Sequence, residues 1–170
     1  DSAGAFSYLL STDGADKAQF AIFTGSTTLT IGTTVLTVGT WFHLAGIYDG
    51  SAIRIFVNGV QENSTGKTGN ISSNAAPVRI GMGSGTPPGE EPVDGDIGHC
   101  AIWDAALSAS EIKSLSVGIS PLNIHRDNLL FYAPLNGQNP ELDIIEGLDL
   151  TVNGATKAEE PPIPNSIVAP

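Results

Sequence analysis

Glu141, Asp143 and Glu146 stand in the run Pro140-Glu141-Leu142-Asp143-Ile144-Ile145-Glu146-Gly147. Three carboxylates at E-x-D-x-x-E spacing inside an apolar run suit sugar hydrolysis. Two carboxyl groups on either side of a glycosidic bond cleave it, one as acid and the other as nucleophile or base. In a regular strand alternate residues share a face. Glu141, Asp143 and Ile145 then point one way, and Leu142, Ile144 and Glu146 the other. Bringing the third acid back needs a bulge, and the strand needs a cleft around it. Only 24 residues follow Glu146, and the last dozen are Pro-rich. Asn139 and Pro140 stand where an aromatic sugar platform would be needed. The run reads first as a strand whose acids face solvent, with a glycoside hydrolase using Glu141, Asp143 and Glu146 as the alternative.

Other residue types carry weaker signals. Asp49, Glu90, Glu91, Asp94 and Asp96 raise a calcium reading, because that ion takes six to eight oxygens from carboxylates and carbonyls. The stretch Gly89–Asp96 supplies several, with Asp94 and Asp96 the first candidates. The competing reading is turn chemistry, since Asp49 and Asp94 each precede a Gly. His43, His99 and His125 are far apart, without the spacing of a zinc site. Trp41 and Trp103 read as core residues. Tyr48 and Tyr132, with Glu90 and Glu91, are the candidates for ligand contact. Asn63-Ser64-Thr65 and Asn70-Ile71-Ser72 match glycosylation acceptors, a short motif that recurs by chance. The Gly-rich stretch 81–89 lacks the Lys and following helix of a phosphate loop.

Composition narrows the partners. The chain has 170 residues, enough for one domain, with a formal net charge of −11. Such a surface repels phosphate backbones and anionic lipid, so neither nucleic acid nor membrane is an expected partner. No apolar run of spanning length appears. Cys100 is the single cysteine, so no disulfide forms within the chain, and its apolar neighbours read as a buried thiol. The chain opens on Asp1 rather than Met, which reads as a processed or truncated piece.

Twenty Gly and eleven Pro suit many short strands joined by turns. Strands are expected at 6–11, 18–25, 28–32, 34–39, 41–48, 52–57, from Val60 onward, and at 77–84. Further strands are expected at 97–107, taken as central in its sheet, and at 128–135, 142–147 and 148–155. Asp49-Gly50 and Asn58-Gly59 are turn pairs, the second of the type-I′ kind, and they fold 41–61 into a meander. Residues 85–96 read as loop. Ser108 followed by Glu111 is a capping box, with Leu107 and Ile112 as a hydrophobic staple and Gly118 as a stop. They mark one short helix over 108–116. The fold class is all-β: an antiparallel two-sheet sandwich with one accessory helix. The domain is expected to run over 1–155, followed by a Pro-rich tail or linker at 156–170.

The order of these segments resembles a known family. Trp41-led strand, Asp49-Gly50, a strand ending in Asn58-Gly59, Arg79-Ile80-Gly81, Ile97-Gly98 and Ala106-Leu107-Ser108 before Glu111-Ile112 together resemble the laminin-G-like jelly roll of the concanavalin A-like lectin and glucanase superfamily. The likeness covers about 38–116. The ELDIIE run also resembles the signature of laminarinase-type β-glucanases. Residues 127–155 look like the extension that follows this jelly roll in bacteriophage virion and metagenomic proteins. The resemblance implies two curved antiparallel sheets, with ligands on the concave face or on edge loops, and sugar binders, adhesion modules and spacers outnumbering enzymes. It implies a virion-surface or secreted location, partner subunits, and glycans as candidate ligands. No cofactor beyond calcium is expected. Family members begin with a strand pair before the position of Asp1. Those strands are either absent here or replaced by 128–155, and edge strands or the Pro-rich tail offer a route to homo-oligomers.

Overall fold

The computed structural model describes residues 6–83 and 92–158. The expected segments at 84–91 and 159–170, Glu90, Glu91 and most of the Pro-rich tail among them, lie outside the described residues.

Strands β1 (Tyr8–Thr12), β2 (Lys17–Phe23) and β3 (Thr27–Val35) form an antiparallel sheet in that order. Strands β4 (Leu44–Tyr48), β5 (Ala52–Val57) and β6 (Val60–Gly66) form a second. Period-two alternation puts Ala18, Phe20 and Ile22 of β2 on one face, where they pack against Ile53, Ile55 and Val57 of β5. Burying each large side chain of this layer contributes about 1.5–3 kcal/mol. The layers approach so closely that a Cβ on Gly46 would lie 2.3 Å from the Phe20 ring.

The turns work as their residue types dictate. Asn58 (φ 51) and Gly59 (φ 78) both take positive φ, as a type-I′ hairpin turn requires. Asp49 Oδ1 accepts the amides of Ser51 and Ala52, both at 2.9 Å, and its other oxygen pairs with Arg54 at 2.6 Å.

The other face of the β4–β6 sheet packs on the helix. Ile47 and Phe56 join Leu107 and Ile112, with Trp103, Leu115 and Ile124 around them. Helix α1 (Ala109–Ser116) has the full capping box: Ser108 Oγ accepts the Glu111 amide, and Glu111 Oε2 accepts the Ser108 amide at 2.7 Å. Gly118 (φ 93) ends the helix. Its amide donates to the Leu115 carbonyl and the Ile119 amide to the Ser114 carbonyl, a Schellman pattern.

The chain then turns through Pro121–Asn123 and Arg126–Asn128. Strand β7 (Cys100–Trp103) pairs with β8 (Leu129–Ala133), and β9 (Glu141–Leu142) with β10 (Asp149–Leu150).

The architecture is all-β and antiparallel with one short helix, as expected, but several segments differ in detail. The expected strands 28–32 and 34–39 are one strand, β3, which runs through Gly32 and bulges opposite Lys17–Gln19. Residues 77–83 form no strand beyond a single Met82–Pro92 bridge. They have no hydrogen-bonded neighbour, and a strand needs a ladder. The 97–107 strand shortens to β7 and pairs with β8 rather than taking a central place. The 142–147 strand shortens to β9, because the chain turns at Ile144–Glu146.

Candidate functional site

The expectation that the ELDIIE acids face solvent does not hold. Glu141 is 7% exposed and Asp143 1%. The alternation is as expected, with Leu142 and Ile144 outward, but the acidic side of the strand is the inner one. Each buried carboxylate is met by backbone amides. Those of Asn136, Gly137 and Gln138 donate to Glu141, closing the loop around it. Tyr132 and Ile145 donate to Asp143 Oδ1 and Glu146 to Oδ2, at 2.9, 3.1 and 2.9 Å. Burial pushes the Asp143 carboxyl up, but the amides of Tyr132, Glu146 and Ile145 outweigh it and hold the group below the ordinary carboxylate range. Glu146 itself is exposed. Two acids so placed tie loops to strands. A shallow pocket of about 250 Å³ beside them is lined by Pro134, Asn136, Gln138, Glu141, Leu142 and Ile144, without an aromatic wall.

The remaining candidates scatter. Asp94 and Asp96 are both exposed. Among the described residues, no group of three or more His, Cys, Asp or Glu is arranged to hold a metal. Tyr132 is 6% exposed, so its ring belongs to the core, with its hydroxyl 2.9 Å from His99 Nδ1. Tyr48 packs against the first core cluster and its hydroxyl donates to the Gly69 carbonyl. Trp41 and Trp103 are half-buried, and the Trp103 indole donates to the Ile124 carbonyl at 2.9 Å. Burial, with Lys113 adding to it, lowers the His43 pKa. His125 Nε2 lies 2.8 Å from Glu111 Oε1. Burial pushes the Cys100 thiol up to about 11.

The described surface best suited to a small ligand is elsewhere. Phe6, Ser7, Tyr8 and Leu9 face Ser73, Asn74 and the segment Ala76–Arg79, with Met82, across a groove of about 330 Å³. Ser7 anchors the groove floor by donating to the Ser72 carbonyl at 2.7 Å, and the Ser72 amide donates to the Phe23 carbonyl at 2.8 Å. Tyr8 is 42% exposed. Partial burial pushes its phenol above the ordinary range, so the ring is neutral at physiological pH. An aromatic face beside hydroxyl, amide and guanidinium groups is an apolar wall with a few placed polar contacts, the composition of small-molecule sites. Sequence reasoning missed this groove because its walls lie more than sixty residues apart. The available signal was an unpaired Tyr opening the first strand.

The comparisons can now be set beside this geometry. A laminin-G-type family profile, described as the concanavalin A-like lectin/glucanases superfamily, matches residues 1–113. A crystal structure from Bacteroides ovatus ATCC 8483, of a protein provisionally described as carbohydrate-binding, is similar at a TM-score of 0.66 and 21% identity, over 93% of this chain and 52% of that one. An S-layer domain-containing protein from Clostridium thermocellum ATCC 27405 is similar at a TM-score of 0.41 and 24% identity, over 68% of this chain and 59% of that one. This chain therefore spans only about half the length of the Bacteroides protein. No curated protein matches it. With two stacked antiparallel sheets, a helix on the outer face and a profile match over most of its length, the chain belongs to the concanavalin A-like lectin/glucanase superfamily.

Proposed function

We propose that this chain is a non-catalytic glycan-binding module of an extracellular surface, with the groove between β1 and residues 73–82 as its binding site. The observation that carries this reading is the Tyr8 ring at the mouth of a groove lined also by Ser7, Ser73 and Asn74. Sugars offer a C–H face to an aromatic ring and hydroxyls to polar groups, and this wall provides for both. The Bacteroides protein of the same fold, provisionally described as carbohydrate-binding, supports the ligand class. The saturation of Glu141 and Asp143 by backbone amides supports the absence of catalysis. In this reading the module sits on an extracellular assembly, a virion surface among them. The resemblance of residues 127–155 to extensions in phage virion proteins supports that context.

A glycan array followed by calorimetry tests the reading. Wild type is expected to bind at least one saccharide, and Tyr8→Ala to weaken it about tenfold or more, the loss of one stacked ring. Reducing-end release from the bound saccharide should stay at background. An array without a binder, by a chain shown to be folded, overturns the glycan reading. Saccharide cleavage that Glu141→Gln abolishes overturns the non-catalytic one.

A further inference from the structure

The first sheet has two edges, and they are treated differently. At β3, side chains of β6 cap the edge. Asn63 Nδ2 donates to the Ile31 carbonyl at 3.0 Å and Thr65 Oγ1 to the Leu29 carbonyl at 3.3 Å. The Glu62 carboxylate takes the amides that the bulge turns outward, Thr33 at 2.6 Å and Thr34 at 3.0 Å. At β1 no strand lies alongside among the described residues.

The Phe23 amide donates to the Ser7 carbonyl and the Asp13 amide to the Lys17 carbonyl. Odd-numbered residues therefore face β2, and the main-chain groups of Tyr8, Leu10 and Thr12 point outward. Of these, the Thr12 carbonyl accepts the Gln19 side chain at 3.2 Å. Natural edges are blunted by charge, Pro or a bulge. β1 reads Tyr-Leu-Leu-Ser-Thr and has none of them. Its registers with Phe20 and Ile22 put Leu10 and Tyr8 on the core-facing side, yet each is 42% exposed.

We propose that two copies of this chain pair edge to edge through β1, antiparallel about a twofold axis at Leu10. Leu10 then lies opposite Leu10 of the second copy, and Tyr8 opposite Thr12. Asp13 falls opposite Ser7. No like charges meet across the seam, although each chain carries −11 overall. That charge-free, self-complementary strip selects a second copy as the occupant. The new ladder joins the outward main-chain groups of Tyr8, Leu10 and Thr12 and makes one six-stranded sheet. The second strand enters the groove beside Tyr8, so a saccharide there and a second copy exclude each other.

Sedimentation velocity without saccharide, over a concentration series, tests the pairing independently of any glycan. A concentration-dependent dimer is expected, and Leu10→Lys should weaken it about tenfold or more, since it sets like charges opposite each other. Leu10→Cys in a Cys100→Ala background covers the case in which the lysine disturbs folding. Under oxidation it should form a covalent dimer, while Tyr8→Cys, facing Thr12, should not. A chain that stays monomeric throughout, or equal cross-linking through both positions, overturns the proposal.

Discussion

Strand β5 and the segment from Leu129 to Leu150 both run through water-excluded protein, yet different forces hold them there. Apolar side chains grip β5 on two faces, β2 through Ile53, Ile55 and Val57, and helix α1 through Phe56. The later segment mixes buried Leu129, Phe131 and Ala133 with the two buried carboxylates of Glu141 and Asp143. Apolar burial is non-directional and forgives a change of shape at constant volume. A carboxylate that answers three amides does not forgive a change of chemistry, because its removal strands three donors at once.

The largest expected effect lies in the apolar region. Phe56→Ala should cost about 3–5 kcal/mol in denaturant unfolding, the usual price of a large-to-small change in a packed core. Phe56→Leu should cost distinctly less. Near-equal losses for the two would mean that ring geometry rather than burial holds β5, and the comparison would break on that side.

Asp143→Ala should cost about 3 kcal/mol, near 1 for each stranded amide. The pH dependence sharpens the point. The folded-state pKa of Asp143 is depressed, so its stabilising effect is present above the ordinary aspartate range and disappears as pH falls through the folded value below it. Wild type should therefore lose stability more steeply than Asp143→Asn below about pH 4. Parallel acid-unfolding curves would remove the carboxylate from the account of this region.

The smallest effect is a local one. Ser108→Ala removes the hydroxyl half of the capping box and should cost about 1 kcal/mol, detectable as faster amide exchange in the first turn of α1 and unchanged exchange in β5. A loss spread equally over both would tie the helix cap to the β2–β5 layer, which the separate core clusters argue against.

The contrast between the regions also explains what the sequence could reveal. The β4–β6 meander and α1 were legible because their signals are local: alternation in Ala52–Val57, Asn58-Gly59 at the turn, Ser108 and Glu111 around the helix start. The inward direction of Glu141 and Asp143 was not legible. Which face of a two-residue strand meets the core depends on where β8 lies, and the amides that make carboxylate burial tolerable come from residues 132–138 and 145–146. Residues 77–83 have strand-forming composition but no ladder, and ladders are tertiary facts. The groove beside Tyr8 was hidden for the same reason, since one of its walls is that segment.

The most direct test of the central claim, a sugar-binding groove beside β1 and structural acids in the later segment, is an amide chemical-shift titration with a saccharide that the chain binds. The account predicts perturbations gathered at Ser7–Leu9 and Ser73–Met82, with the amides of Asn136–Gln138 and Ile145–Glu146 unmoved. Perturbations centred on Asn136–Glu146 instead would contradict it.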